Sequence, residues 1–179
     1  MAPISDSIYL MLKTHTNIAL VGMPGSGKST VGVILAKELS REFVDTDSLI
    51  ESSQGRKLQH IVDTDGYAEL RRIEEDILLD LQVQNHIIAT GGSVVYSQRG
   101  MIHLKSISTI VFLNLGLSDL RSRIHNWDSR GIAKRPEQSF EDLFCERHEL
   151  YTRYADVTID CKDLSREDVC RRVIQEINS

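Results

Sequence analysis

The chain has 179 residues, 41% hydrophobic and 26% charged, with 21 Lys and Arg against 26 Asp and Glu. These proportions suit one globular domain, and a formal charge of -5 excludes the broad basic field of a general nucleic-acid binder. No apolar run approaches the ~20 residues of a membrane span, and the short apolar run at 8–12 lacks the basic flank and cleavage site of a secretory signal, so a cytoplasmic protein is expected.

Residues 1–16 read as a lead-in. A strand is predicted over 17–21, then a Gly-rich turn, then a helix over 28–40 with Val31, Leu35 and Leu39 on one face. A second strand covers 42–45. Residues 49–63 read as helical in pieces, broken near Gly55. An amphipathic helix over 69–84 aligns Leu70, Ile73, Ile77 and Leu81. Strands follow over 86–90 and 108–113, a helix over 118–125, a long helix over 139–154, a strand over 157–159 and a closing helix over 165–177. Strands alternating with helices predict a three-layer α/β/α fold around a five-stranded parallel sheet. Ligands of such sheets bind beyond the carboxyl ends of the strands. The Gly-rich turn, Asp45–Asp47 and Gly91–Ser93 all follow strand ends. No linker or repeat interrupts the pattern, so residues 1–179 are expected to form one domain, with a lid at about 127–139. The three cysteines, Cys145, Cys161 and Cys170, have no metal or redox spacing and read as free thiols. No apolar surface stripe is left over, so a monomer is expected.

Gly22-Met23-Pro24-Gly25-Ser26-Gly27-Lys28-Ser29 matches G-x-x-x-x-G-K-[ST] in full, between a predicted strand and a predicted helix. Glycines let the backbone N–H groups wrap a phosphate, and the helix N-terminus adds a positive field. In that motif the lysine, here Lys28, reaches the outer phosphates, and the hydroxyl of Ser29 ligates Mg2+. A bound nucleotide, ATP with Mg2+, follows. A GTPase switch is disfavoured. Asp63-Thr64-Asp65-Gly66 fits D-x-x-G but follows a helical pattern, and no N-K-x-D occurs in the chain.

Two carboxylates at alternate positions, Asp45 and Asp47, suit two tasks, one toward Mg2+ and one toward an acceptor hydroxyl. They also suit a helix cap and a turn. In the long helix, Phe140, Leu143, Phe144, Leu150, Tyr151 and Tyr154 make one stripe with Arg147 near its centre. A guanidinium there needs an anion or acceptors to meet it; a ligand carboxylate or a buried acidic partner would serve. Arg71 lies at the flank of its apolar stripe, within reach of either a ligand or Glu75 at i+4, and Arg72 faces solvent. The segment 127–139 holds Arg130, Lys134 and Arg135, a cationic loop that can close over phosphates.

These motifs in this order resemble the shikimate kinase family over nearly the whole chain. The matching pieces are Gly22 to Thr30, Phe43-Val44-Asp45-Thr46-Asp47, Leu70-Arg71-Arg72-Ile73-Glu74-Glu75, Thr90-Gly91-Gly92, Glu146-Arg147 with Leu150-Tyr151, and Ala155-Asp156-Val157-Thr158-Ile159. The resemblance implies transfer of the γ-phosphate of Mg-ATP to a hydroxyl of shikimate, a small carboxylated alcohol. It implies Asp45 beside Ser29 at the metal, and Asp47 as acceptor ligand and base. It implies Arg71 and Arg147 as carboxylate clamp, Gly91 and Gly92 as close backbone neighbours of the acceptor, and Arg123 near adenine. A lid arginine, Arg130 by spacing or Arg135 by its Arg-Pro context, would meet the phosphates. The chain departs from the family at Ser93, where a third glycine is usual, and at Tyr67, Leu70 and Glu149, which leaves Ser93 and Glu149 as candidate borders of a different acceptor pocket. A gluconate-like acceptor and a nucleotide-binding regulator without turnover are the alternatives.

Overall fold

The computed structural model describes residues 16–123 and 131–179. Its strands are β1 (Asn17–Val21), β2 (Glu42–Asp45), β3 (His86–Ala89), β4 (Ser108–Asn114) and β5 (Val157–Asp160). They form one parallel sheet in the order β2-β3-β1-β4-β5. Helices on both faces complete the three-layer α/β/α fold that strand–helix alternation predicts. The central β1 is buried along its whole length, as a strand covered on both faces must be. Its one polar member, Asn17, donates to Val83 O at 2.7 Å and to Ile107 O at 2.9 Å, and its Oδ1 accepts from His86 N. A single buried amide thus ties together the starts of three sheet elements, with its polar atoms satisfied.

Among the described residues the helices are α1 (Lys28–Glu38), α2 (Thr46–Gln54), α3 (Leu58–Asp65), α4 (Tyr67–Leu79), α5 (Gln98–Ile107), α6 (Leu117–Arg123), α7 (Phe140–Tyr154) and α8 (Arg166–Ile177). Ser97, Ser139 and Ser165 cap α5, α7 and α8 by accepting from the third backbone N–H inside each helix, a capping contact that stabilises by about 1 kcal/mol. The break near Gly55 is present, with that residue left-handed at φ 63. Helix α3 ends at Asp65 and turns at Gly66, so Asp63–Gly66 is a helix end and no switch loop.

Three expectations differ from the structure. The predicted helix over 28–40 ends at Glu38, because Ser40 is left-handed at φ 51. The helix over 69–84 ends at Leu79; Leu81 still packs into the core from the connection beyond. Helix α5 was unforeseen. Its core-facing apolar signal is only Met101, Leu104 and Ile107, and Gly100 in its first turn weakens the propensity.

The main core surrounds β1, β3 and β4. A second cluster, Ile50, Ile61, Leu70, Ile73 and Ala133, fastens α2, α3 and α4 together beside the carboxyl ends of β2 and β3. Ala133 reaches it from the strap that precedes α7. No helix of the described residues is long and apolar enough to cross a membrane.

Candidate active site

The turn after β1 carries the phosphate motif into α1. Gly27 caps α1 at φ 99, in the left-handed region that glycine enters without strain. Residues 24–31 line a cavity of about 1150 Å3. Gly22 and Met23 contribute from beneath through their carbonyls, which accept from Lys28 Nζ at 2.8 and 2.9 Å. Lys28 is buried, and burial is the main cause that brings its ammonium down to about 8, against the attraction of Asp47 and Asp45. Thr30 lies on the cavity wall.

Asp45 ends β2 and begins α2. One oxygen, Oδ1, accepts from Asp47 N at 3.0 Å and caps the helix. The other, Oδ2, accepts from Ser29 Oγ at 2.6 Å. The two sequence readings of Asp45, cap and phosphate-side carboxylate, therefore coexist in one residue. Ser29 and Asp45 present two hard oxygen donors side by side, which fits a cation that keeps most of its shell from water and phosphate. Among the described residues no larger cluster of metal-ligating side chains occurs.

Asp47 lines the same cavity. Burial pushes its carboxyl up to about 6, offset in part by Lys28. Glu74, on α4, is also buried, and burial pushes it up to about 7 although Ser93 Oγ donates to it. The Gly91 backbone runs between them. A Cβ at residue 91 would lie 2.1 Å from Glu74 Oε1 and 2.8 Å from Asp47 Oδ1, so glycine is needed there for space. Sequence reasoning passed over Glu74. The signal was available, because positions 70, 73, 74 and 77 share one face of α4.

Arg147 is 1% exposed, as its place in the α7 stripe requires. Its Nη2 donates to Ala133 O at 2.7 Å, and Arg71 Nη2 donates to the same oxygen at 3.2 Å. The two arginines thus converge on one carbonyl. Nε of each is buried without a hydrogen-bond partner, so each fork keeps capacity for a further acceptor. Arg71 does not pair with Glu75, which binds Ser97 and Arg99 instead. Arg72 is exposed and pairs with Glu69 and Asp76.

Arg147, Gly92 and Ser93 reach the cavity wall; Glu149 is exposed and borders a separate hollow on α7. Of the two departures expected to shape the pocket, Ser93 alone does so. Arg123 lines the cavity together with Cys161 and the residues around the start of α8, Leu164 to Glu167, a wall that the sequence did not disclose. Arg135 pairs with Glu146 at 3.0 Å and is absent from the cavity wall; Arg130 lies outside the described residues.

A parallel sheet in this order, with the phosphate-binding turn after its central strand and paired carboxylates after the neighbouring one, defines a P-loop nucleotide-binding fold of the small-kinase type. The family profile described as shikimate kinase matches residues 24–178. A shikimate kinase of Sulfurihydrogenibium sp. is 33% identical over 162 residues, covering 90% of this chain and 97% of that protein. One of Vibrio campbellii is 35% identical, with 89% and 94% covered. The structure of shikimate kinase from Acinetobacter baumannii in complex with shikimate superposes with a TM-score of 0.85 at 31% identity, covering 94% of this chain and 96% of that one. The chain belongs to the shikimate kinase family.

Proposed function

We propose that the protein transfers the γ-phosphate of Mg-ATP to a hydroxyl of shikimate. The observation that carries this reading is one cavity that holds a phosphate cradle, a carboxylate with raised proton affinity and a buried arginine with unspent donors. The relatives' activity and the shikimate in the Acinetobacter structure support it. The cradle and Lys28 hold the outer phosphates. Ser29 and Asp45 would hold Mg2+, which would supply positive charge to offset the charge that develops on the transferred phosphate. Arg71 and Arg147 take the acceptor carboxylate, where a planar fork gives both energy and orientation. Gly91 and Gly92 let the acceptor approach the backbone. Asp47 then accepts the proton from the acceptor hydroxyl. Its raised pKa brings its basicity nearer to neutral pH, which is where a general base is most effective. Arg123 stands at the end of the cavity suited to adenine. For the lid arginine the sequence spacing that favours Arg130 is the better guide, since Arg135 is tied to Glu146.

The same reading takes the chain as one domain acting as a monomer in the cytoplasm. Among the described residues, Val33 and Ile102 are the large apolar side chains that stand exposed, which offers little for a permanent interface. Ser93 favours keeping one alternative in view, another small hydroxy acid such as gluconate, because its hydroxyl enters the acceptor wall where the family usually has glycine.

The test is a coupled ADP-release assay with Mg-ATP and shikimate, run beside gluconate and a no-acceptor control. Turnover with shikimate alone is expected. Turnover with gluconate alone would move the assignment to another acid, and ADP release independent of acceptor would remove the kinase reading.

A further inference from the structure

We propose that Tyr96 is a positioning residue that holds Arg71 and Arg147 as a pair for an acceptor carboxylate. The inference rests on the carboxylate-binding reading above but concerns a residue to which neither the motifs nor the resemblance assign a role. Tyr96 closes the short 3-10 turn Val94–Tyr96 that follows Ser93. The Arg71 guanidinium carbon lies 3.5 Å from the centre of its ring, which is stacking distance, and that of Arg147 lies 5.5 Å away. One ring therefore serves both cations.

Two guanidiniums that share the Ala133 carbonyl repel each other in a poorly hydrated place. Burial and the charge of Arg147 both favour the neutral form of Arg71. The electron-rich ring face offsets that repulsion. It also fixes the plane of the Arg71 fork, which a flexible side chain at the flank of α4 would not keep by itself. Tyr67 supports the other end of the same stack, with its ring 5.2 Å from the Arg71 guanidinium. The neighbouring Ser93 binds the buried acid Glu74. The turn thus separates the charges: Ser93, just before it, engages the carboxylate, and its last residue engages the two cations. A ligand carboxylate meets two pre-aimed forks whose acid neighbour is already occupied.

The experiment has two arms, with Tyr96→Leu and Tyr96→Phe. In the first, the Nε–H resonance of Arg71, assigned by its loss in Arg71→Lys, is recorded by NMR. It is expected to be shifted upfield by the ring in wild type and in Tyr96→Phe, and to lose that shift in Tyr96→Leu. In the second, steady-state kinetics with shikimate are expected to show an acceptor KM raised about tenfold in Tyr96→Leu, the size of a partly buried cation–ring contact. Its kcat should stay within about twofold of wild type, with the ATP KM unchanged and Tyr96→Phe near wild type. An Arg71 resonance with no upfield shift in wild type overturns the proposal. So does an acceptor KM in Tyr96→Leu equal to that of wild type, or a rise in ATP KM in step with acceptor KM. Silence of the wild type toward shikimate would refute the assigned substrate instead, and the NMR arm would still decide whether the ring holds the arginines.

Discussion

Replacing Asp47 by Asn should leave a protein that is more stable than wild type at alkaline pH and almost inactive. Burial raises the Asp47 carboxyl from 3.8 to about 6 in the folded chain, the pull of Lys28 included. A difference of about two pKa units corresponds to ~3 kcal/mol between the protonated and ionised forms. The folded-state value lies above the unfolded one. The favourable contribution is therefore complete below about pH 4 and is lost as pH rises through about 6. Near pH 8 the ionised aspartate thus costs the wild type ~3 kcal/mol relative to a neutral side chain of the same shape. Near pH 4 the two proteins should converge. For a chain of this length the gain at pH 8 corresponds to a melting temperature about 6–12 °C higher. Glu74 titrates in both proteins, so its effect largely cancels in the difference. Urea unfolding of both proteins near pH 4 and near pH 8 measures the effect, and the coupled assay should show kcat lower by about 10²–10⁴. Equal or lower stability of Asp47→Asn at pH 8, or a gain that does not change with pH, would refute the reasoning.

Gly91→Ala should cost about 1–3 kcal/mol in stability, because the new methyl meets two carboxylates that have little room to retreat. Its kcat should fall about 10²-fold through displacement of Asp47, and unfolding and rate measurements on one preparation check both. Arg147→Lys should raise the acceptor KM about 10- to 100-fold, since a lysine lacks the planar fork. ATP affinity should hold, and an unchanged acceptor KM would mean that the Ala133 carbonyl is the whole purpose of Arg147. The kcat/KM profile of the wild type should fall below about pH 6 as Asp47 takes up its proton, and a profile flat to pH 5 would point to another base.

The nucleotide side of the site was open to inspection in the sequence, because a phosphate cradle is local. Eight consecutive residues supply its turn, its cation and its hydroxyl. Arg147 was legible for a different reason. A charge inside an apolar helical stripe is conspicuous, and the structure buries it. Glu74 satisfied the same criterion on α4 and drew no reading of its own, whereas Glu75 beside it is partly exposed and pairs with Arg99. The rest depends on contacts that no local pattern encodes. Arg71 meets Ala133 across 62 residues, and Ser93 meets Glu74 across 19. Helix α5 escaped notice because three core-facing apolar positions, an exposed Ile102 and a glycine carry too little periodic signal.

Asp45 uses both of its oxygens at once, one on the first turn of α2 and one on Ser29. It cannot turn to serve one without releasing the other. The end of the site that faces phosphate and the end that carries Asp47 are therefore indexed to each other by a single rigid hinge pin, two residues before Asp47. Any shift of that pin moves both halves together. An Asp45 variant that loses turnover will for that reason report misalignment as much as a missing ligand, and only a variant at Ser29 can address the cation side while leaving the helix start in place.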